Sequence, residues 1–399
     1  MNLVDQLPRI EEVDLRGRRV LLRADLNVTF EPGTTNISDD SRIHATAPTI
    51  ELLRRKRAKI ILCSHLGRPK GRVVPELSID PVRCRTSDVL GYGVIDVGGP
   101  TGSGVGEAID RLAEGDVAML QNLRFDSGEE ANDTDFSRAL ASLADVYVND
   151  AFGASHRSHA SIVGVASILP TYAGLLMRTE IKALSRALSA EERPAIAILG
   201  GAKVADKLGI VSSLAPNVDA ILIGGGMISA FIAARGKSAG CSVPGEDEIE
   251  AAQALMDDPA VMAKLRLPED VVIADEFSND SDYHEAGIDD IADSGYILDI
   301  GSNTVARYAN LIESAKKIVW NGPMGLFEWP SFANGTRSIA KTIARNENAF
   351  KLAGGGSTVE AINAFGIAGG LSHISTGGGA SLEFLEGKIL PGVAALAGP

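Results

Sequence analysis

The chain has 399 residues, of which 45% are hydrophobic and 23% are charged, and its formal net charge is −14. This length favours two domains of ordinary size. No apolar run approaches the roughly 20 residues needed to span a bilayer, so the sequence disfavours a membrane protein. The acidic balance also disfavours nucleic-acid binding.

Short apolar runs alternate with longer helical patterns along nearly the whole chain, which is typical of parallel βα units. In the first half, helices are predicted at 47–57 and 137–143, loops at 31–40 and 98–106, and strands at 19–23, 59–64, 94–97, 117–121 and 146–149. Helical spacing over 172–192, followed by Pro194, predicts a connecting helix with a domain boundary near residue 190.

The second half repeats the rhythm, with strands predicted at 195–199, 220–223, 271–274, 297–300, 318–320 and 373–375. The predicted fold is therefore α/β, with two doubly wound, Rossmann-like lobes that contain parallel sheets and are joined by a helix and hinge. We assign residues 1–188 to the first lobe and 189–389 to the second.

The three cysteines, Cys63, Cys84 and Cys241, are odd in number and lack metal-type spacing. We expect them to be buried free thiols in a reducing compartment. Residues 1–12 show no export signal, so we expect a cytoplasmic protein. Nothing in the sequence indicates more than a monomer.

Basic side chains follow four predicted strands of the first half, at Arg23, His65, Arg68, Lys70, Arg72, Arg124, His156, Arg157 and His159. Ligands bind beyond the carboxyl ends of strands in open α/β sheets, and arginine forks suit a small, doubly anionic substrate. Asp25 and Asn27 can hydrogen-bond its hydroxyl groups. Arg42, in the predicted loop before the helix at 47–57, can join them. The alternative is that these cations form surface ion pairs or, at Lys70 and Arg72, are solvated.

Glycines follow the strands of the second half, at 200–201, 224–226, 354–356 and 377–379. They let backbone N–H groups approach an anion, as nucleotide phosphates require. Lys203 and Lys207 have the i, i+4 spacing of one helix face, and both can reach one phosphate chain. Glu328 suits ribose hydroxyls or, alternatively, caps a helix. Tight helix–strand packing is the other explanation for the glycines.

These segments resemble the phosphoglycerate kinase family from about residue 13 to 393. The motifs that carry the resemblance are RADLNV, DDSRI, SHLGRPKG, NLRF, VNDAFG, SHRSHAS, LGGAKVADK, GGGM, WNGPMGLFE and STGGGASLEFLEGK. The resemblance implies reversible phosphoryl transfer between 1,3-bisphosphoglycerate and MgADP, giving 3-phosphoglycerate and MgATP, with hinge closure. It also implies that residues 390–399 return to the first lobe.

The resemblance assigns roles to individual residues. Substrate ligands are Asp25, Asn27, His65, Arg68, Arg124 and Arg157, supported by Arg23 and His159. Catalytic groups are Arg42, Lys203, Gly356 and Gly379. Nucleotide ligands are Gly201, Ala202, Lys207, Gly225, Gly301, Asn321, Pro323, Gly325, Glu328, Gly355, Gly356, Ser357 and Thr358. Small-molecule substrates are the only partners implied.

The main departure from the family pattern is Ser357, where the family ordinarily has an aspartate beside the magnesium ion. A serine hydroxyl can ligate Mg²⁺ but brings no negative charge, so we expect a higher magnesium requirement. Ser357 also supports the alternative of a catalytically weakened paralogue that senses nucleotide or phosphoglycerate. An NAD-dependent oxidoreductase is disfavoured because the G-x-G-x-x-G fingerprint with its acidic partner is missing.

Overall fold

The structure is a computed structural model that describes residues 6–397. The chain divides into two compact units: the first extends to Lys182 and includes the segment from Ile389 onward, and the second is Ala183–Lys388. Each unit has a parallel sheet, so the predicted α/β class is confirmed. None of the helices within residues 6–397 has the length and apolar content needed to cross a membrane.

Eight strands form the sheets of the first unit, within the described residues: β1 (Arg19–Arg23), β2 (Thr29–Phe30), β3 (Ile37–Asp39), β4 (Lys59–Cys63), β5 (Ile95–Asp96), β6 (Val117–Met119), β7 (Val146–Asn149) and β8 (Thr171–Ala173). Six of them make a parallel sheet in the order β5-β6-β4-β1-β7-β8, while β2 and β3 pair in an antiparallel ribbon. Side chains alternate across β1, so that Val20 and Leu22 enter one hydrophobic core and Leu21 enters the other. This alternation explains why β1 is a continuous apolar run.

The α-helices that cover this sheet are α1 (Ser41–Arg55), α2 (Asp80–Leu90), α3 (Ser103–Asp110), α4 (Ser127–Ala131) and α5 (Thr134–Ala141). Side-chain caps fix the starts of two of them, because Asp126 accepts a hydrogen bond from the N–H of Gly128 and Asp133 accepts one from Phe136. Such caps satisfy amide groups that have no partner within the helix. The predicted loops at 31–40 and 98–106 were wrong in part, since β3 lies in the first of them and the second ends where α3 begins at Ser103.

The predicted connecting helix is α6 (Leu175–Leu188), and the division between the units falls within it. Its start is held by the buried carboxylate of Asp150, which accepts a hydrogen bond of 3.1 Å from the N–H of Met177. Burial raises the pKa of Asp150 to about 6. The carboxylate lies at the helix N-terminus, where negative charge is stabilising.

The strands of the second unit are β9 (Ala195–Leu199), β10 (Ala220–Ile223), β11 (Leu265–Arg266), β12 (Asp270–Ala274), β13 (Tyr283–Gly287), β14 (Tyr296–Ile300), β15 (Lys317–Asn321), β16 (Phe350–Ala353) and β17 (His373–Ile374). Six of these form a parallel sheet in the order β11-β10-β9-β15-β16-β17. The other three form a separate antiparallel sheet in the order β13-β12-β14. The prediction that 271–274 and 297–300 belong to the parallel sheet was therefore wrong, because apolar periodicity does not reveal strand direction.

The α-helices of the second unit are α7 (Leu208–Leu214), α8 (Ile228–Ala234), α9 (Glu246–Asp257), α10 (Pro259–Met262), α11 (Ser302–Ser314), α12 (Asn334–Arg345), α13 (Gly356–Phe365) and α14 (Gly379–Leu385). A last short helix, α15 (Pro391–Ala394), belongs to the first unit. There the N–H of Gly392 donates to the carbonyl of Ser155 at 2.8 Å.

Two cysteines depart from expectation. Cys63 is a buried free thiol, but Cys84 and Cys241 are exposed. Cys84 lies in α2, whose buried face is formed by Val82 and Thr86, so its position on the helix places it toward solvent. The prediction of buried thiols was wrong for these two residues.

Candidate active site

Four adjacent strands of the first sheet, β6, β4, β1 and β7, lead into the predicted basic residues. Arg23 ends β1 and is fully buried, while His65 follows β4 and is 6% exposed. Arg124 and His159 are half-buried, and Arg68 and Arg157 are exposed. Because the carboxyl ends of parallel strands meet at one edge of the sheet, these side chains lie together at that edge. We call this set of six residues the basic cluster.

Arg23 is held by hydrogen bonds on three sides. Its Nε donates to the Oγ of Ser161 at 2.8 Å, and one terminal nitrogen donates to the carbonyl of Ala24. The other terminal nitrogen lies 3.1 Å from Nδ1 of His65. A guanidinium with no route to solvent must be satisfied in this way. Arg23 therefore orders the cluster from within.

The two histidines of the basic cluster carry no charge at neutral pH. Burial, reinforced by neighbouring guanidinium groups that include Arg23 and Arg124, holds the pKa of His65 well below its usual range. Burial and the same two arginines lower the pKa of His159 to about 4. As neutral rings, both histidines serve as directional hydrogen-bonding groups. The positive charge of the cluster comes from its arginines.

Arg42, Asp25 and Asn27 lie next to the basic cluster. Arg42 forms an ion pair of 2.9 Å with Asp25, and the amide oxygen of Asn27 accepts a hydrogen bond of 2.8 Å from the N–H of Gly67. Arg42 was expected in a loop, but it occupies the first turn of α1, which begins at Ser41. The prediction failed because Pro48 is tolerated inside this helix.

Three residues that support the basic cluster, Glu129, Ser161 and Asn122, were not predicted. Glu129 in α4 is fully buried and accepts hydrogen bonds from both the N–H and the hydroxyl of Ser161, at 2.9 and 2.6 Å. Asn122 is also buried, and its side chain bonds the N–H and the carbonyl of Leu66. The sequence signal was the acidic pair Glu129–Glu130 that follows Arg124, but the sequence does not show which of the two is buried.

In the second unit, the glycine loops contact each other through their main chains. The N–H of Gly201 donates to the carbonyl of Pro323 at 3.2 Å, and the N–H of Gly225 donates to the carbonyl of Met324 at 2.7 Å. A Cβ atom on Gly200 would lie only 1.9 Å from the Pro323 oxygen. These glycines are required because the loops after β9, β10 and β15 approach more closely than a side chain allows.

A cavity of about 390 Å³ opens beside these loops. Seven predicted nucleotide ligands line it: Gly201, Ala202, Gly225, Pro323, Gly325, Glu328 and Ser357. Its apolar wall is formed by Phe277, Ile297, Leu298 and Leu326. The cavity thus combines backbone amides, an exposed carboxylate and an apolar surface.

The apolar wall was not predicted. Phe277 is 60% exposed and packs against Tyr296 and Trp329, with ring centroids 5.7 and 4.9 Å apart. The available sequence signal was a phenylalanine among polar residues, in the segment DEFSND. Asp299, at the end of β14, is buried against Gly325 of the loop after β15. Its carboxylate accepts a hydrogen bond of 2.6 Å from the N–H of Gly335, and burial raises the pKa of Asp299 to about 7.

Lys203 and Lys207 do not share a helix face as expected. The α-helix begins only at Leu208, and Lys203 precedes even the short 3-10 turn Ala205–Lys207. Lys203 is exposed, whereas Lys207 is half-buried and donates to the side-chain oxygen of Asn321. Burial lowers the pKa of Lys207. The i, i+4 argument fails because neither lysine lies within the α-helix.

Other predicted nucleotide ligands do not line the cavity. Gly301 is buried against Asp270, and Thr358 accepts a hydrogen bond of 2.7 Å from the N–H of Gly322. Gly355 has a positive φ of 97° just before α13. Gly356 and Gly379 are the exposed first residues of α13 and α14, where amide groups lack intrahelical partners.

The donors near this cavity fit a magnesium ion that arrives with its nucleotide. Within residues 6–397, no three His, Cys, Asp or Glu side chains are grouped to hold a metal by themselves. Mg²⁺ bound through substrate phosphates keeps several waters and needs only one or two protein oxygens. The exposed hydroxyl of Ser357 lines the cavity and can supply one of them, with exposed Glu360 one turn later in α13.

Comparison with known proteins identifies one family. The sequence profile described as Phosphoglycerate kinase matches residues 10–388. Two relatives with that name, from Moorella thermoacetica and Dictyoglomus turgidum, are 48% and 49% identical over 388 and 392 residues. These alignments cover 97% of this chain and 98% and 97% of the respective relatives.

Comparison with solved structures agrees with the sequence comparison. The structure of phosphoglycerate kinase from Coxiella burnetii matches with a TM-score of 0.88 and 37% sequence identity. The match covers 98% of each chain.

Proposed function

The chain belongs to the phosphoglycerate kinase family, and we propose that it catalyses reversible phosphoryl transfer between 1,3-bisphosphoglycerate and MgADP, giving 3-phosphoglycerate and MgATP. The observation that carries this proposal is the convergence of the basic cluster at four adjacent strand ends of the first unit. A small acid with two anionic groups is the ligand such a surface suits. The glycine-lined cavity of the second unit suits the nucleotide.

The basic cluster binds the phosphoglycerate in this proposal. Arg68, Arg124 and Arg157 neutralise its anionic groups, while His65 and His159 donate hydrogen bonds as neutral rings. Asp25 and Asn27 form hydrogen bonds with its hydroxyl group. Guanidinium forks hold phosphate or carboxylate in a fixed orientation, and in-line transfer depends on that orientation.

The nucleotide binds in the cavity of the second unit. Its base packs against the apolar wall that includes Phe277, and Glu328 accepts hydrogen bonds from the ribose hydroxyls. The backbone amides of Gly201 and Gly225 lie on the phosphate side, where glycine permits close approach. Lys207 adds a positive charge near Asn321.

Arg42 and Lys203 are the cations we assign to the transferring phosphoryl group, with the amides of Gly356 and Gly379. Transfer of this kind needs positioning and charge neutralisation rather than a protein nucleophile, so no covalent intermediate is required. Neutralisation contributes several kcal/mol, on the order found for other preorganised electrostatic sites. The magnesium ion, with Ser357 as a ligand, supplies further charge neutralisation when bound.

A coupled assay of ADP formation from ATP and 3-phosphoglycerate, run across a magnesium titration, tests the proposal. We expect turnover that requires both substrates and saturates with each. The variant Arg55→Ala should retain this turnover, because Arg55 is exposed and lies at the opposite end of α1 from the proposed catalytic residue Arg42. Nucleotide binding without turnover at any magnesium concentration would contradict catalysis and favour a sensor.

We also propose that the protein acts as a monomer in the cytoplasm. The proposed phosphoglycerate ligands all belong to the first unit and the proposed nucleotide ligands all belong to the second, so a second copy of the chain is not needed to complete either binding site. The three free cysteines agree with a reducing compartment. Light scattering at increasing protein concentration and fractionation of the source cells test the two statements.

A further inference from the structure

A buried hydrogen-bond chain runs behind the basic cluster, from Glu129 to His65. The hydroxyl of Ser161 lies 2.6 Å from Oε1 of Glu129 and 2.8 Å from Nε of Arg23. Arg23 in turn lies 3.1 Å from Nδ1 of His65. Glu129, Ser161 and Arg23 are all fully buried, so water does not compete for these bonds.

The chemistry of the groups fixes the direction of each bond. A guanidinium only donates, so Ser161 Oγ must accept from Arg23 and is left to give its single hydrogen to Glu129. Glu129 completes its second oxygen by accepting from the N–H of Ser161 at 2.9 Å. At the other end, Nδ1 of His65 faces a donor and must therefore accept. The ring proton is then on Nε2.

We propose that Glu129 is a positioning residue for His65. Acting through Ser161 and Arg23, it holds the ring with Nδ1 as acceptor and with Nε2–H available to the phosphoglycerate. Within residues 6–397, no protein group accepts a hydrogen bond from this Nε2. The inference rests on the proposed function of the first unit, since that function supplies the anion that accepts the bond.

Glu129 is needed because it fixes the Ser161 hydroxyl, which in turn fixes the orientation of Arg23. Without the carboxylate, the hydrogen of the Ser161 hydroxyl loses its acceptor and the hydroxyl turns away from its present geometry. The Nε–H of Arg23 then lacks a fixed partner, and the guanidinium no longer holds Nδ1 of His65 in one orientation. The other tautomer, which places an acceptor toward the anion, becomes populated and weakens binding.

The test uses ¹⁵N NMR of the full-length protein labelled at histidine, with His65→Gln to assign the signals. In the wild type we expect a protonated Nε2 and an unprotonated Nδ1. Ser161→Ala and Glu129→Gln should each give averaged or reversed signals, together with a rise of about tenfold in KM for 3-phosphoglycerate. The KM for ATP should change less than about twofold in both.

Ser137→Ala is the matched control, because Ser137 is also buried in the first unit but donates to the carbonyl of Asp133. It should leave both the spectrum and KM unchanged. A protonated Nδ1 in the wild type would overturn the proposal without any variant. Wild-type signals and KM in both variants would overturn it too. Because the spectrum needs no substrate, a wild type without turnover would reject the proposed function separately.

Discussion

The close contact of Gly200 with the loop after β15 makes Gly200→Ala a sensitive test of the second unit. A Cβ atom at this position would lie 1.9 Å from the carbonyl oxygen of Pro323 and 2.8 Å from its carbon. Ordinary contacts of this kind exceed roughly 3 Å. The two main-chain segments must therefore separate by about 1 Å, because neither partner is a flexible side chain.

The cost follows from the hydrogen bonds that join these segments. The N–H of Gly200 donates to the carbonyl of Asn321 at 2.9 Å, and Gly201 donates to Pro323 at 3.2 Å. Losing both costs about 1–3 kcal/mol, and the strain of overpacking adds about 1–3 kcal/mol. We expect Gly200→Ala to lower the free energy of unfolding by roughly 2–6 kcal/mol and to weaken ADP binding.

Urea unfolding and calorimetric titration with ADP measure the two effects. Gly354→Ala is the control: it lies at the carboxyl end of β16 in the same sheet, but its added Cβ would meet only Ser375 at 3.6 Å. This variant should lose less than about 1 kcal/mol of stability. Equal stability in the two variants would refute the reasoning, and so would a wild-type ADP affinity in Gly200→Ala.

Three further predictions concern the proposed catalytic groups. Arg42→Ala should reduce kcat about 100-fold or more while the Kd for ADP changes less than about twofold; equal losses in kinetics and calorimetry would contradict its role. Ser357→Asp should lower the half-saturating magnesium concentration in the coupled assay about tenfold, since it adds a charged ligand; no change would place Ser357 away from the metal. Because the pKa of His159 is lowered to about 4, the unfolded chain binds a proton that the folded protein excludes between about pH 6.5 and 4. The free energy of unfolding therefore falls as pH falls through this window, and His159→Gln should make that slope shallower in urea unfolding at each pH, whereas an unchanged slope would contradict it.

The central strands could be predicted from the sequence because they are buried on both faces. β1, β7, β9 and β10 have the predicted bounds, and each is a mostly apolar strand that lies between two other strands of its sheet. The missed strands are short or lie at an edge, as β8 and β11 do. A strand of two or three residues makes too little periodicity to stand out from a loop.

The residues that touch a ligand were easier to predict than those that support them. Glu129 and Glu130 are adjacent and chemically identical in the sequence, yet one is fully buried and the other is exposed. Only the packing of α4 against Ser161 distinguishes them. Likewise, the exposed Phe277 becomes part of a cavity wall only because the antiparallel sheet brings it beside Ile297.

Because of the contact between Gly392 and Ser155, the first unit cannot complete its folding in the order in which the chain is synthesised. A ribosome makes nearly all of the first unit first, but the carbonyl of Ser155 receives its partner only after the whole second unit has been translated. A Cβ atom on Gly392 would lie 2.8 Å from Ile162, so the late segment fits closely against residues made early. The nascent first unit is therefore left with an uncovered surface throughout elongation of the second, a period in which chaperones have access to it.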